Sequence, residues 1–370
     1  MVGPVLKFAE VDVRQRQPVI RCFEQVSPIE KEPWLFRGVQ VSSEIQVFLH
    51  GLRKTVKRNH WRGRRVAIGI PGESVLVRRF RLPNMPHRGL RIAVQHEVEH
   101  RLSLPIADPL YDFSVIQNGL NEQEVEIVLV AASRSVVMPW VELATACGLH
   151  PVAVEPSILA VARAVEWNET VDAMSYPAAA DPGATHVHAL VHLMEDGLDF
   201  ALLLGKDMVF LRHVSVAQDH NLAPVGSSME ELSLLWPSQP FVTNVAGSGR
   251  EMEQSSAQLE AGFASAWVEQ VVDEVERSLT FAARHALASN QEVSRVTVLD
   301  QTGRLPEVIA ALRERLTVDV APAVVDVQWQ EGDTRRSVAR FQNESFREAP
   351  DWLVRHRLAP LIGLVMGVKR

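Results

Sequence analysis

The feature that most constrains the fold is an alternation of short apolar strands with amphipathic helices, which occurs in two blocks separated by a polar stretch. The first block predicts strands over 65–70, 75–82, 111–117 and 125–132, with helices over 44–58, 90–102 and 136–147. The second predicts strands over 188–193, 198–204, 208–216, 296–299 and 318–320, with helices over 261–288 and 306–316. Such alternation is typical of α/β proteins. The chain also opens with a predicted hairpin, 5–13 with 18–26.

The polar stretch marks a boundary between two structural units. Residues 170–185 are rich in Ala and Pro, lack periodicity and contain Pro182-Gly183, as linkers do. A chain of 370 residues is also long for one core. We therefore expect a first unit over 1–168, a linker over 169–186 and a second unit over 187–351. A C-terminal helix over 352–370 can return to the first unit.

Charge and cysteine content narrow the functional classes. The net charge of -7 gives no overall attraction to nucleic acid or anionic membrane. Cys22 and Cys147 are far apart and support neither a disulfide framework nor a cysteine-based zinc site. Residues 1–10 lack a secretory signal, and the apolar run 358–368 is too short to span a bilayer. We expect a soluble cytoplasmic protein that does not bind nucleic acid.

One short motif suggests metal chemistry. His96-Glu97-Val98-Glu99-His100 matches H-E-x-x-H, in which two histidines one helical turn apart bind Zn²⁺ and the glutamate is a general base. Charged Glu99 and Arg101 instead favour a solvated helix face, and the third ligand is undetermined among Glu122, Glu124 and Glu126. A zinc metallohydrolase is therefore a distant alternative.

Two further patterns have an ordinary and a functional interpretation. His186, His188 and His192 occupy alternate positions along a predicted strand, so their side chains would share one face of it. They could bind a transition metal together with another donor, or they could lie on a half-exposed face of the strand. A basic run over 53–65 around Trp61 would suit phosphate groups, but it is also typical of the solvated end of a helix. No Gly-x-Ser-x-Gly elbow, P-loop or dinucleotide fingerprint is present.

A series of segments resembles one known family. They are RRVAIGIPG at 64–72, RLPNM at 81–85, AVQHEVEH at 93–100 with Leu104-Pro105, VLVAA at 128–132 and GLHPVAVEP at 148–156. In this order they resemble the PilM family of type IV pilus assembly, which is related to the actin-like cell-division protein FtsA. The similarity continues more weakly through 271–284, 295–306 and 358–367.

The resemblance implies a two-lobed actin-like α/β fold. A small inserted α/β subdomain would occupy about residues 75–148 of the first lobe. In that family the nucleotide lies between the lobes, and phosphates are held on Asp-x-Gly turns whose backbone N–H groups approach the anion.

The positions that correspond to these nucleotide loops differ from the family pattern. Only Met1–Pro4 precedes the first predicted strand, so the first phosphate loop is expected to be absent. The second loop contains Glu195 and Asp196, which repel phosphate. The third, 299–303, keeps one glycine. We therefore expect no cofactor and no ATP hydrolysis, with a nucleotide-binding actin-like ATPase as the alternative; bound ATP and Mg²⁺ are disfavoured.

The resemblance also implies a partner. In that family the scaffold binds the cytoplasmic N-terminal tail of PilN, an inner-membrane protein, so membrane association would be indirect. The residues expected at the groove are Leu82, Asn84, Met85 and Arg134. The expected function is a scaffold at the inner face of the cell membrane, serving a type IV pilus or a related secretion machine.

Overall fold

The computed structural model describes residues 6–14, 17–26, 43–102, 104–116, 123–172, 187–194, 197–204, 207–216, 249–287, 291–325, 328–329 and 351–367. Its strands are β1 (Leu6–Arg14), β2 (Gln17–Val26), β3 (Arg65–Ile70), β4 (Val75–Pro83), β5 (Pro109–Ile116), β6 (Glu124–Ser133), β7 (His150–Pro156), β8 (Val187–Met194), β9 (Gly197–Leu204), β10 (Asp207–Ser215), β11 (Val293–Asp300), β12 (Asp319–Pro322) and β13 (Gln328–Trp329). Its helices are α1 (Ser43–Arg58), α2 (His87–His100), α3 (Arg134–Ala146), α4 (Ser157–Asp172), α5 (Gly249–His285), α6 (Leu305–Arg315) and α7 (Asp351–Gly367). The predicted linker after residue 172 lies outside the described residues.

The five-stranded large sheet has the strand order β10-β9-β8-β11-β12. Its central strand β8 pairs antiparallel with β9 and parallel with β11, and both faces of β8 and β9 are buried. Strands buried on both faces are apolar almost throughout, which explains why VHALVHLM and GLDFALLL carry so few charges. The three strands expected over 188–216 are confirmed.

The strands near the N-terminus belong to two separate sheets. The hairpin sheet, with order β1-β2-β13, contains the predicted N-terminal hairpin. The parallel pair consists of β3 and β7, and no other described strand is hydrogen-bonded to either of them. Val66, Ala67, Ile68 and Gly69 of β3 are only half-buried. The two N-terminal pieces are therefore less enclosed than the large sheet.

The small sheet has order β4-β6-β5, and all of its pairs are antiparallel. One face packs on α2, where Leu90 and Val94 meet Ile127 and Leu129. The other face contributes Val128 to the core of the large sheet. Arg79 of β4 also donates to the backbone carbonyl of Ala286, just after α5. The small sheet is therefore tied to the large sheet as well as to the parallel pair.

Helices α4 and α7 join the pieces. They pack against each other, and Ile158 and Leu358 share one core with Ile20 of the hairpin sheet and Leu190 of the large sheet. The helices cross so closely that a Cβ atom on Gly363 would lie 1.7 Å from the carbonyl oxygen of Ala160. The C-terminal helix thus packs beside α4 and β3. Among the described residues, no helix is long and apolar enough to cross a membrane.

Candidate functional site

Leu82, Asn84 and Met85, which were predicted to contact a partner, lie together at the end of β4. Leu82 is 6% exposed and packs into the core between the small sheet and α2. The backbone N–H of Asn84 donates to the carbonyl of Gln123 at 2.7 Å. Met85 is half-buried and rests against Gly89 at the start of α2. Asn84 and Met85 can face a partner, whereas Leu82 supports them from within.

Arg134, the fourth predicted residue, lies at the opposite end of the small sheet. It follows β6, whose Ala132 pairs with Val75, while Leu82 pairs with Val125. Arg134 lies nine positions after Val125, which corresponds to about 30 Å of extended chain. The Nε atom of Arg134 donates to Asp108 at 2.8 Å. The four predicted residues therefore do not form one site, because strand β6 separates them along its length.

A row of polar side chains crosses the large sheet near the ends of β8 and β9. His192, Asp199 and His213 are direct partners on β8, β9 and β10, so they share one face of the sheet. The Nδ1 atom of His213 lies 2.8 Å from the Asp199 carboxylate. Asp199 is fully buried, and its Oδ2 atom has no hydrogen-bond partner among the described residues. We call this row and its contacts Glu73, Gln301 and Lys7 the junction cluster.

Burial keeps His192 neutral. It lowers the pKa of His192 to about 4, although the negative charge of Asp199 opposes the shift. The amide nitrogen of Gln301 lies 2.7 Å from Nε2 of His192. Since an amide nitrogen can only donate, this contact assigns the ring proton to Nδ1. That buried Nδ1 atom also has no partner among the described residues.

The junction cluster links β1 to the large sheet. Lys7 donates from Nζ to Oε1 of Gln301 at 2.9 Å, and the amide nitrogen of Gln301 continues to His192. On the other side, Glu73 lies 3.9 Å from His213. A Cβ atom on Gly72 would lie 2.3 Å from the Asp199 carboxylate, so the turn at 72–74 approaches the sheet as only glycine allows. The cluster is thus a polar joint between three parts of the chain.

The loop that follows β11 is closed by its own acidic residue. Asp300 accepts from the backbone N–H of Thr302 at 2.7 Å, from the Thr302 hydroxyl at 2.7 Å and from the N–H of Gly303 at 3.1 Å. The N–H of Gln301 donates to the Leu193 carbonyl at 2.9 Å. His356 fixes the base of the loop, because its Nδ1 atom accepts from the N–H of Asp300. The four successive N–H groups of residues 300–303 are therefore engaged within the protein.

A family model described as Type IV pilus assembly protein PilM matches residues 20–220, which is more than half of the 370 residues. The chain belongs to this family. A comparison with curated protein sequences gives no significant match.

Solved structures give the same fold. A chain of the PilM–PilN type IV pilus biogenesis complex is 17% identical, with a TM-score of 0.66 over 99% of this chain and 96% of that chain. At this identity the match shows the fold, which is the two-lobed actin-like α/β fold of PilM with its inserted subdomain.

Two other solved structures resemble the chain more distantly. The cytoplasmic domain of EpsL, an inner-membrane component of the type II secretion system of Vibrio cholerae, is 11% identical over 94% of this chain and 92% of that chain, with a TM-score of 0.36. A protein of Bacteroides thetaiotaomicron with an actin-like ATPase fold is 8% identical over 81% of each chain, with a TM-score of 0.34.

The junction cluster and the Asp300 loop lie where Lys7 of β1 and Glu73 of the turn after β3 contact residues of the large sheet and the loop after β11. The third predicted nucleotide loop is described in full, and its amides at Gln301, Thr302 and Gly303 already have acceptors. Glu195 and Asp196 of the second loop, and residues 1–4 where the first was sought, lie outside the described residues.

The H-E-x-x-H motif lies on the exposed side of α2. The rings of His96 and His100 are 4.7 Å apart, but Glu97 pairs with Arg101 at 3.1 Å and Glu99 accepts from Gln95 at 2.8 Å. Of the residues that the structure describes, no three His, Cys, Asp or Glu side chains are arranged to hold a metal ion. His188 and His192 are on β8, with His192 in the junction cluster, and His186 lies outside the described residues.

Sequence reasoning missed the pairing of Asp199 with His213 and the closure of the Asp300 loop. The first depends on the register of β9 and β10, which contains an irregularity between Met208 and Phe210 and has no local signal. The second did have a signal. Asp followed two and three residues later by Thr and Gly is typical of a turn in which the carboxylate accepts from backbone N–H groups.

Proposed function

We propose that this member of the PilM family is a cytoplasmic scaffold of a type IV pilus inner-membrane platform, or of a related secretion platform. It binds the cytoplasmic tail of a PilN-like membrane protein from the cytoplasmic side. It works without hydrolysing ATP. Its association with the membrane is indirect, through that partner.

The pilus role is supported by membership of the PilM family. The partner is supported by the structural match to a chain of the PilM–PilN complex. The observation that carries the absence of hydrolysis is the Asp300 loop. Phosphates and sugars are held in such loops by free backbone N–H groups, and here the amides of Thr302 and Gly303 bind the Asp300 carboxylate. The same carboxylate would repel an anionic ligand.

The buried carboxylate of Asp199 supports the same conclusion. It is fully buried on β9, directly opposite His192 of β8. A negative charge in a poorly solvated place interacts strongly with nearby charges, so a polyphosphate there would be disfavoured. Among the described residues, this part of the large sheet is engaged in hydrogen bonds that run from Lys7 through Gln301 to His192.

Two binding measurements test the proposal. Isothermal titration of the protein with a synthetic peptide of the PilN homologue's cytoplasmic tail is expected to show saturable binding. Thermal unfolding with millimolar Mg-ATP is expected to leave the midpoint unchanged, whereas the tail peptide at 100 times its Kd adds about 2.7 kcal/mol to the native state. The peptide therefore serves as the positive control for the ATP experiment. A clear ATP-dependent shift would replace the scaffold by the nucleotide-binding alternative.

Two variants locate the tail roughly. Because Met85 and Arg134 lie at opposite ends of the small sheet, Met85→Asp and Arg134→Glu test separate surfaces. We propose that the tail contacts at least one of these ends, so one variant weakens binding by about tenfold, which is 1.4 kcal/mol. Unchanged titrations for both variants would remove these residues from the binding surface.

A further inference from the structure

A basic surface lies at the end of α1 and in the turn that leads to β3. The segment 53–65 contains seven Lys and Arg side chains and no Asp or Glu. All seven are exposed, whereas Leu52, Val56 and Trp61 face the core. We call the seven the basic patch: Arg53, Lys54, Lys57, Arg58, Arg62, Arg64 and Arg65. In a chain with a net charge of -7, the patch is a local reversal of sign.

The neighbouring segment 146–150 holds these cations on one surface. The Nε atom of Arg53 donates to the carbonyl of the last residue of α3 at 3.0 Å. The stem of Arg62 lies beside Gly148, where an added Cβ would be 3.2 Å from the Cγ of that arginine. The carbonyl of Arg64 accepts from the N–H of the first residue of β7 at 2.8 Å. The end of α1 and the turn after it therefore lie side by side against the same short segment.

The turn is not built as a pocket for a single anion. Discrete phosphate sites depend on backbone N–H groups that point at the anion. Four N–H groups of the turn instead donate to carbonyls of the protein at 2.6–3.2 Å, those of His60, Trp61, Gly63 and Arg64. The patch therefore offers charge on exposed side chains, which attracts an extended anionic surface without a fixed geometry.

The aromatic side chain within the patch is not available to a ligand. Trp61 is 6% exposed, and its Nε1 atom donates to Glu10 at 2.9 Å. Single-stranded nucleic acid is commonly held by stacking on exposed aromatic side chains, and many peripheral proteins insert such side chains into the bilayer. Because Trp61 does neither, the patch makes its contact by charge alone. Glu10 also lies 4.0 Å from Arg64 and offsets part of one charge.

We propose that the basic patch rests on the anionic lipid headgroups of the membrane that holds the partner. This inference rests on the proposed function, because the partner's tail brings the protein to that membrane. The patch then adds a second, direct contact, which turns the end of α1 and the start of β3 toward the bilayer. Each basic residue close to an anionic leaflet strengthens binding about fivefold.

Cosedimentation of the full chain with lipid vesicles, in the absence of any partner peptide, tests the contact. The probes are vesicles of phosphatidylcholine alone and vesicles that also contain about one third phosphatidylglycerol, because only the second kind is anionic. Binding is expected only to the anionic vesicles at about 50 mM salt, and it should be lost at about 0.5 M salt, where charges are screened within a few ångströms. One variant that combines Lys54→Gln, Lys57→Gln and Arg62→Gln should bind on the order of 100-fold more weakly.

The matched control removes three exposed arginines outside the patch, by Arg88→Gln, Arg91→Gln and Arg284→Gln. It has the same net charge as the patch variant. Its binding to the anionic vesicles should stay within about threefold of that of the unmodified chain, because the field of a charge falls off within a Debye length. Equal midpoints of urea unfolding show that both variants are folded. The lipid and salt dependence of the unmodified chain tests the proposal even where a variant does not fold.

The outcomes separate this inference from the proposed function. Loss of binding in the patch variant alone supports the proposal. Equal losses in both variants, equal binding to neutral vesicles, or no binding at low salt would overturn it and leave the tail as the attachment. Tighter binding of the patch to a DNA duplex of about 20 base pairs than to the vesicles would assign the patch to nucleic acid instead. The titration with the tail peptide is independent of lipid, so its failure would contradict the proposed function and not the vesicle result.

Discussion

The large sheet and the two N-terminal pieces are built from similar strands but held together differently. In the large sheet, β9 and β11 are both hydrogen-bonded to β8, so one continuous ladder runs from β10 to β12. The hairpin sheet and the parallel pair have the corresponding directions but no shared ladder among the described residues. Their connection depends on side chains and on the helices α1, α4 and α7.

The two regions also differ in how fully their strands are buried. A parallel strand is normally enclosed by helices and by neighbouring strands on both sides. Strands β8 and β9 meet that condition, since nearly all of their residues are buried, whereas β3 is half-buried along most of its length. Among the described strands, the parallel pair is accordingly less enclosed than the centre of the large sheet.

The largest expected effect comes from the core of the large sheet. Phe200 is fully buried on β9, so Phe200→Ala should lower the free energy of unfolding by about 3–5 kcal/mol. The matched change in the parallel pair, Ile68→Ala, removes a half-buried side chain and should cost about 1–2 kcal/mol. Urea unfolding measures both. Equal losses would show that the two regions are enclosed alike, contrary to the comparison.

The next effect concerns the crossing of α4 and α7. A methyl group on Gly363 would collide with the Ala160 backbone, so Gly363→Ala should destabilise the protein by about 3 kcal/mol despite the better helix propensity of alanine. Gly367→Ala is the milder comparison, because its Cβ would meet the end of the Arg163 side chain rather than backbone; displacing the guanidinium from Glu155 and the Gly363 carbonyl should cost about 1 kcal/mol. In hydrogen exchange, the Gly363 variant should expose β1 and β3 before β8. Simultaneous exposure of all three strands would mean that the helices support both regions equally.

A smaller effect depends on pH and belongs to the large sheet alone. The pKa of His192 is about 4 in the folded protein, below its ordinary value of 6.5, because burial disfavours the charged ring. A depressed histidine pKa means that its stabilising contribution is complete above pH 6.5 and is lost as the pH falls toward 4. Between pH 7 and pH 5, this group alone should lower the free energy of unfolding by about 2 kcal/mol.

The histidine prediction is checked by comparing variants. His192→Gln should unfold in urea with about 2 kcal/mol less dependence on pH between 7 and 5 than the unmodified chain. Burial also lowers the pKa of His356, so part of the acid sensitivity should remain in the variant. An unchanged pH dependence in His192→Gln would show that His192 does not titrate as its burial requires.

Much of the fold could be predicted from local sequence. Strand β3 was predicted within its observed bounds, and the hairpins at 194–197 and 204–207 follow from Asp-Gly and Gly-Lys-Asp turns between apolar runs. Periodicity identified α6 and most of α5, although α5 begins at Gly249, well before the predicted start. The PilM family and its fold followed from the order of the motifs.

The site was less predictable because it depends on register and direction rather than on local pattern. Asn84 and Arg134 were placed together from a resemblance, yet the antiparallel pairing of β4 with β6 sends the residue after β6 back to the start of β4. The junction cluster has the same origin. Asp199 meets His213 and His192 only because three strands align at one position. No short window of sequence contains that alignment.

The smallest expected effect tests the side-chain contacts that replace a ladder between β1 and β3. The indole Nε1 of Trp61 donates to Glu10 of β1 at 2.9 Å, and Trp61 also packs near Phe8 with ring centroids 6.4 Å apart. Trp61→Phe keeps much of the packing but removes the donor, so it should cost about 1 kcal/mol. Glu10→Ala should cost a similar amount. The double variant should lose about 1 kcal/mol less than the sum of the two single losses, because both substitutions remove the same hydrogen bond. Glu10→Gln is the control, since its amide oxygen can still accept and should retain most of the coupling. Additive losses in urea unfolding would mean that this contact does not connect β1 to the segment before β3, and the case for two pieces held by side chains would then depend on the helices alone.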